Sequence, residues 1–315
     1  MNKSLAVLLT IALLFIASGA TCLRNTYQTD PLAPVAFTAP PSLEEIIYAV
    51  NANTDRIRQL HTDNASLSQA GMVGSLRASI SVERPRRFRL RAKLISPEVD
   101  LGSNDELFWF WAKSSPQPAI YFARHDEYAN AGASQLLPVA PSMLIEAFGL
   151  VQLEPGAQHE GPFPRGDGSV EIRSRINGSG GAARRVIVVN DRYGWITEQH
   201  LFDVSGNALA SVRASGHRHY PQVGASLPHH LEVTMSGAGQ TLRIDVGEYW
   251  INQLAGDPGL WTMPQLPGYT RVNVASPPFQ PPPGLSLTSP TGIQPPAPES
   301  RAAMLPEYRG HVSRR

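Results

Sequence analysis

Between Met72 and Lys93 apolar and polar residues alternate with a period of two, and only a strand matches that period, because successive side chains of a strand point to opposite faces. Met72, Gly74, Leu76, Ala78, Ile80 and Val82 share one side, with Val73, Ser75, Arg77, Ser79, Ser81 and Glu83 on the other. After a break at Arg84-Pro85 the pattern resumes, with Phe88, Leu90, Ala92 and Leu94 set against Arg87, Arg89, Arg91 and Lys93. Further strands are predicted at 106–112, 118–124, 169–177, 184–190, 195–204, 208–220, 229–236 and 240–251, many of them bounded by Gly, Pro, Asn or Asp. Serial strands joined by short turns predict an antiparallel meander that curls into a barrel or half-barrel.

Two helices interrupt this pattern. Ser42 and Glu45 are spaced as a capping box, and Leu43, Ile46, Ile47, Val50, Ile57 and Leu60 recur at helical spacing, predicting a helix from Ser42 to about Leu60. Pro141 to Gly149 reads as a short apolar helix with Pro near its start and Gly at its end. The predicted class is therefore α+β, a curved antiparallel sheet forming an incomplete β-barrel with a helical lid, in one domain over 42–272.

The ends of the chain differ from this body. Residues 1–21 read as a signal peptide, with Lys3 as the positive start, Leu5 to Ala17 as the apolar run and small residues leading to Cys22. The run falls short of the ~20 apolar residues that span a bilayer. Cys22, the single cysteine, sits where a bacterial lipoprotein is acylated, although Gly19 and Thr21 depart from the usual lipobox. Ordinary cleavage after Ser18-Gly19-Ala20 is the alternative. Residues 22–41 read as anchor and spacer, with Pro31, Pro34, Pro40 and Pro41, and 273–315 read as a Pro-rich, disordered tail.

Several functions are excluded or unsupported. With 27 Lys+Arg against 26 Asp+Glu, the chain lacks the concentrated positive field of a nucleic-acid binder. One cysteine permits neither an intrachain disulfide framework nor a thiol pair. No G-x-S-x-G elbow occurs, and none of Lys3, Lys93 and Lys113 follows a glycine as a phosphate loop requires. His217, His219, His229 and His230 could converge on a metal, but no acidic ligand is spaced to help, so no metal or cofactor is expected. Asp100 to Glu106 reads as a hairpin turn rather than a calcium loop.

The basic ladder of Arg84, Arg86, Arg87, Arg89, Arg91 and Lys93, with Arg77 beside it, either pairs with carboxylates across strands or meets anionic headgroups. Leu76, Ile80, Phe88, Leu90, Phe108, Phe110, Ile120 and Phe122 either form a packed core or line a cavity under the helices, with Leu144 and Phe148 from the second helix.

The capped helix, the strand Val82-Glu83-Arg84-Pro85-Arg86-Arg87-Phe88-Arg89-Leu90, the aromatic strand Asp105-Glu106-Leu107-Phe108-Trp109-Phe110-Trp111, the Leu137-Pro138-Val139-Ala140-Pro141 helix start and Trp261-Thr262-Met263-Pro264 resemble the LolA/LolB-type lipoprotein carriers of bacterial envelopes over about 42–270. The resemblance implies an incomplete barrel over a hydrophobic cavity for acyl chains, with Arg84 holding the helical lid and gating it. It also implies a non-enzymatic, monomeric protein whose ligand is an acyl chain or a lipoprotein. The place would be the periplasmic face of a membrane, the outer membrane in particular, with Cys22 as anchor. The Pro-rich tail is foreign to the carriers. The alternative is a structural or regulatory protein-binding module with a filled core and no lipid ligand.

Overall fold

The computed structural model describes residues 32–70, 72–127, 141–178, 181–235 and 240–276. The expected signal segment, Cys22, Leu137 to Ala140 and the stretch 277–315 lie outside them. After helix α1 (Leu43–Asp55) come β1 (Gln59–Gln69), β2 (Leu76–Glu83), β3 (Arg87–Lys93), β4 (Pro97–Ser103), β5 (Leu107–Ala112) and β6 (Ala119–Arg124). Helix α2 (Pro141–Ala147) precedes β7 (His159–Pro164), β8 (Ser169–Gly178), β9 (Gly181–Asn190), β10 (Ile196–Phe202) and β11 (Ala208–Ser215). A small hairpin, β12 (Arg218–Tyr220) with β13 (Ala225–Leu227), is followed by β14 (His230–Met235), β15 (Gln240–Val246), β16 (Trp250–Ile251) and β17 (Thr270–Asn273).

One sheet runs β17-β6-β5-β4-β3-β2-β1-β15-β14-β11-β10-β9-β8-β7, with β16 paired to the first residues of β1. Every pairing is antiparallel except β17 with β6. β17 and β7 are the two edges, so the sheet does not close. It curves into a cup: Tyr121 of β6 and Ala214 of β11, far apart in strand order, belong to one apolar cluster with Phe148, next to α2. The predicted class, α+β with a curved, open antiparallel sheet and helices in its hollow, is the observed one.

Both α1 and α2 start as their sequences dictate. The Ser42 hydroxyl accepts the Glu45 amide while the Glu45 carboxylate accepts the Ser42 amide, which satisfies two otherwise orphaned donors. Ile46 and Val50 then pack on Val170, Ile172, Ile187 and Val189 of β8 and β9. The helix stops at Asp55, short of the predicted Leu60, because a remote side chain captures the backbone of the next turn. The Asn252 side chain accepts the amides of Arg58 and Gln59 and donates to the Arg56 carbonyl at 2.7 Å. Ile57 and Leu60 are buried in the cup instead of extending the α1 stripe.

Five strands, β1, β4, β7, β13 and β17, lie outside the predicted spans. In β1, Leu60 and Thr62 point inward, but a register shift between Thr62 and Ala65 changes the phase, and Ala65 and Leu67 take over. The bulge hides the alternation. The expected 100–106 turn is shorter, because Asp100 to Ser103 complete β4. Gly102 is required there by close approach: a Cβ would overlap the Trp109 indole. At the termini, the Phe37 amide binds the Arg192 carbonyl, and Val274 and Ala275 are buried in the core, so the packed body extends past both ends of 42–272.

Candidate functional site

The hollow of the cup gathers most of the predicted lining. Leu76, Ile80, Phe88, Leu90, Phe108, Phe110 and Phe148 form one cluster, each no more than 8% exposed, and Leu144 packs against it partly buried. Ile120 and Phe122 are a correction. They join Trp109 and Trp111 on the opposite face, under Met263, Leu266 and Tyr269 of the C-terminal segment, while Ala119, Tyr121 and Ala123 face the hollow. Strand β6 is apolar on both faces because both are covered, so composition could not show which parity faced inward.

Helix α2 sits over this surface. Phe148, just past its end, packs its ring near Phe88 (centroids 6.3 Å apart), and Ile145 is buried in the same cluster. The chain leaves α2 through Gly149 at φ 81°, a left-handed position that a side chain would strain. The residues beyond are clamped by α1. Asn51 donates to the Leu153 carbonyl at 2.7 Å and accepts its amide at 2.8 Å, and Thr54 donates to the Val151 carbonyl at 2.6 Å.

Arg84 stands at the seam of these parts. Its guanidinium donates to the carbonyls of Thr54 (2.9 Å) and Ile57 (3.3 Å) at the end of α1, and to the Gln152 side chain (3.0 Å). A planar fork of donors next to the negative end of a helix suits that position. Asp55 lies 3.9 Å away and is largely exposed, so it adds little.

A second anchor went unread in the sequence. Arg185 of β9 donates to the Glu146 carboxylate at 2.7 Å and to the Gln152 carbonyl, and Gln199 of β10 donates to the Glu146 carbonyl. Burial pushes the Glu146 carboxyl above the usual carboxylate range, and Arg185 pulls it back. The available clue was Glu146 itself, a lone acid in an otherwise apolar short helix. The histidines do not converge: His217 meets the Ile196 carbonyl, His219 the Ser226 hydroxyl, His229 the Tyr220 hydroxyl and His230 the Asp245 carboxylate. Among the described residues no group of three or more His, Cys, Asp or Glu is placed to hold a metal.

The basic ladder divides. Arg87 pairs with Asp105 and Glu83, and Arg89 with Asp100, whereas Arg77, Arg91 and Lys93 form no ion pair among the described residues. Asp100, read as part of a turn, is instead the buried acceptor for Arg89 and for the Trp109 indole.

No protein-family model and no curated protein matches the chain. Three solved structures are similar to it in fold. A domain from Vibrio parahaemolyticus named for outer membrane lipoprotein sorting has a TM-score of 0.45 and 10% identity, covering 69% of this chain and 96% of its own. A LolA superfamily protein from Nitrosomonas europaea has 0.42 and 13%, covering 69% and 97%. A DUF1329 family protein from Desulfovibrio piger has 0.43 and 11%, covering 71% and 100%.

Proposed function

We propose that the cup takes up an acyl chain, free or carried on a lipidated protein, and that α2 gives way to admit it. The protein would act without catalysis in the cell envelope, at the periplasmic face of the outer membrane, anchored through Cys22. One observation carries the reading: the apolar sheet face from β2 to β6 shares its cluster with Ile145 and Phe148 of a seven-residue helix and the glycine turn that ends it. Withdrawing Leu144, Ile145 and Phe148 costs about 5–9 kcal/mol at about 1.5–3 kcal/mol per side chain. A chain of about sixteen carbons recovers about 12 kcal/mol at about 0.8 kcal/mol per methylene, so exchange is favourable before ordering costs. Arg84 holds α1 and the α2 exit segment together and would set how readily the helix moves.

The test is organic extraction of purified protein, followed by titration with a fluorescent fatty acid and displacement by unlabelled fatty acid. Co-purified lipid or saturable, displaceable uptake is expected. The close burial of the lining favours a second reading, a filled-core module that binds another protein. Absence of both lipid and uptake, with partner binding lost when 277–315 are deleted, selects that reading. The deletion begins at 277 because Val274 and Ala275 belong to the core.

A further inference from the structure

A groove of about 860 Å³ opens on the outer face of the sheet, opposite the cup. Its volume falls in the range of small-molecule sites, about 300–1,000 Å³. One part is cationic. Arg77 of β2 and Lys93 of β3 are directly opposite in register, and Arg91 projects from the same face two residues before Lys93. Like charges facing each other across strands are destabilising. No carboxylate forms an ion pair with them among the described residues: the Asp100 opposite Arg91 is already bound by Arg89 and Trp109, and Asp63 and Glu248, which also line the groove, pair with none of the three.

The other part is apolar. Trp111, Pro264 and Leu266 line it, with Trp250, stacked on His61, at the β16 side. The segment containing Pro264 and Leu266 is fixed over the sheet because Arg89 donates to the carbonyls of Gly259 and Leu260. Trp111 is 5% exposed, and its indole N–H is buried with no hydrogen-bond partner.

We infer that this groove binds a phosphate-bearing amphiphile, its head held by Arg77, Arg91 and Lys93 and its apolar part lying along Trp111, Leu266 and Trp250. Phosphate suits the cluster because it carries more than one acceptor oxygen and more charge than a carboxylate, and two arginine forks can share it. Asp63 and Glu248 repel a second anion and confine the head to the Arg77–Lys93 part.

The experiment titrates the full-length protein with a monoacylglycerol phosphate below its critical micelle concentration, the uncharged monoacylglycerol and inorganic phosphate, following tryptophan fluorescence and heat. The amphiphile is expected to bind about tenfold or more tightly than its uncharged analogue, and R77S/R91S/K93S to lose about tenfold or more. These side chains are exposed and repel one another, so the urea midpoint should not fall, and R77K/R91K should recover part of the affinity. Inorganic phosphate binding as tightly as the amphiphile, and lost in the same variant, keeps the phosphate site but assigns it to a soluble compound. Undiminished amphiphile affinity in R77S/R91S/K93S places the molecule in the cup, which overturns this inference and leaves the acyl-chain reading standing. Binding seen only with phosphatidylglycerol vesicles makes the face a membrane contact, and no binding of any probe leaves no site; both overturn it.

Discussion

The Arg185 guanidinium, itself buried, meets the largely buried Glu146 carboxylate at 2.7 Å, so the short helix over the cup is held to β9 by an ion pair as well as by apolar contact. Removing one partner of such a pair leaves an uncompensated charge, whereas removing both leaves none. Glu146→Ala should cost about 3–5 kcal/mol of unfolding free energy, and the double variant E146L/R185M should recover most of that loss. Urea denaturation of the two variants checks this, and equal losses would contradict it.

Arg84→Ala removes three donated hydrogen bonds at the seam between α1 and the α2 exit. Because the side chain is partly solvated, the cost should be about 2 kcal/mol, below the sum for three charged hydrogen bonds. Amide exchange in Leu150–Leu153 should accelerate, and fatty-acid uptake should become faster. Arg84→Lys, which keeps the charge but loses the fork, should restore little of either.

Phe148 and Ile120 separate the two faces of the sheet. Both F148A and I120A should be destabilising, by about 3–5 and about 2–5 kcal/mol, because both side chains are buried. Only F148A empties space in the cup, so only it should change the affinity for the fluorescent fatty acid. An equal change in I120A would contradict the assignment of Ile120 to the outer cluster.

His217 is stacked on Trp195, with centroids 4.9 Å apart, and burial lowers its pKa from 6.5 to about 4 against the opposing hydrogen bond to the Ile196 carbonyl. The unfolded chain therefore takes up the proton more readily than the folded one. Stability from this group is fully present above pH 6.5 and is lost as pH falls towards 4. The loss amounts to about 3 kcal/mol at about 1.4 kcal/mol per unit. His217→Phe keeps the stacking and removes the titration. Its urea midpoints from pH 4 to 7 should fall less steeply than those of the wild type. Some slope should remain, because burial also lowers the pKa of His61 and His219.

What the sequence determined was local. The Ser42–Glu45 box starts α1 because both partners lie within one turn, and the alternation through β2 and β3 fixes their faces because each strand carries its own period. The short helix from Pro141 needed only residues within itself and Gly149. The tertiary structure decided everything that depended on a distant partner. Asn252 ends α1 from about 200 residues away in the chain, the shift after Thr62 re-phases β1, and Asp100 becomes a buried ion-pair partner because Arg89, diagonal to it on the neighbouring strand, reaches it. Ile120 and Phe122 face outward only because the segment carrying Met263 and Leu266 comes back to cover them. Arg84 shows both levels at once: the strand places it at the end of β2, but what it holds there depends on where α1 ends and where Gln152 passes. An alternating pattern records whether a side chain is covered, and a strand covered on both faces therefore carries no record of which cover lies where.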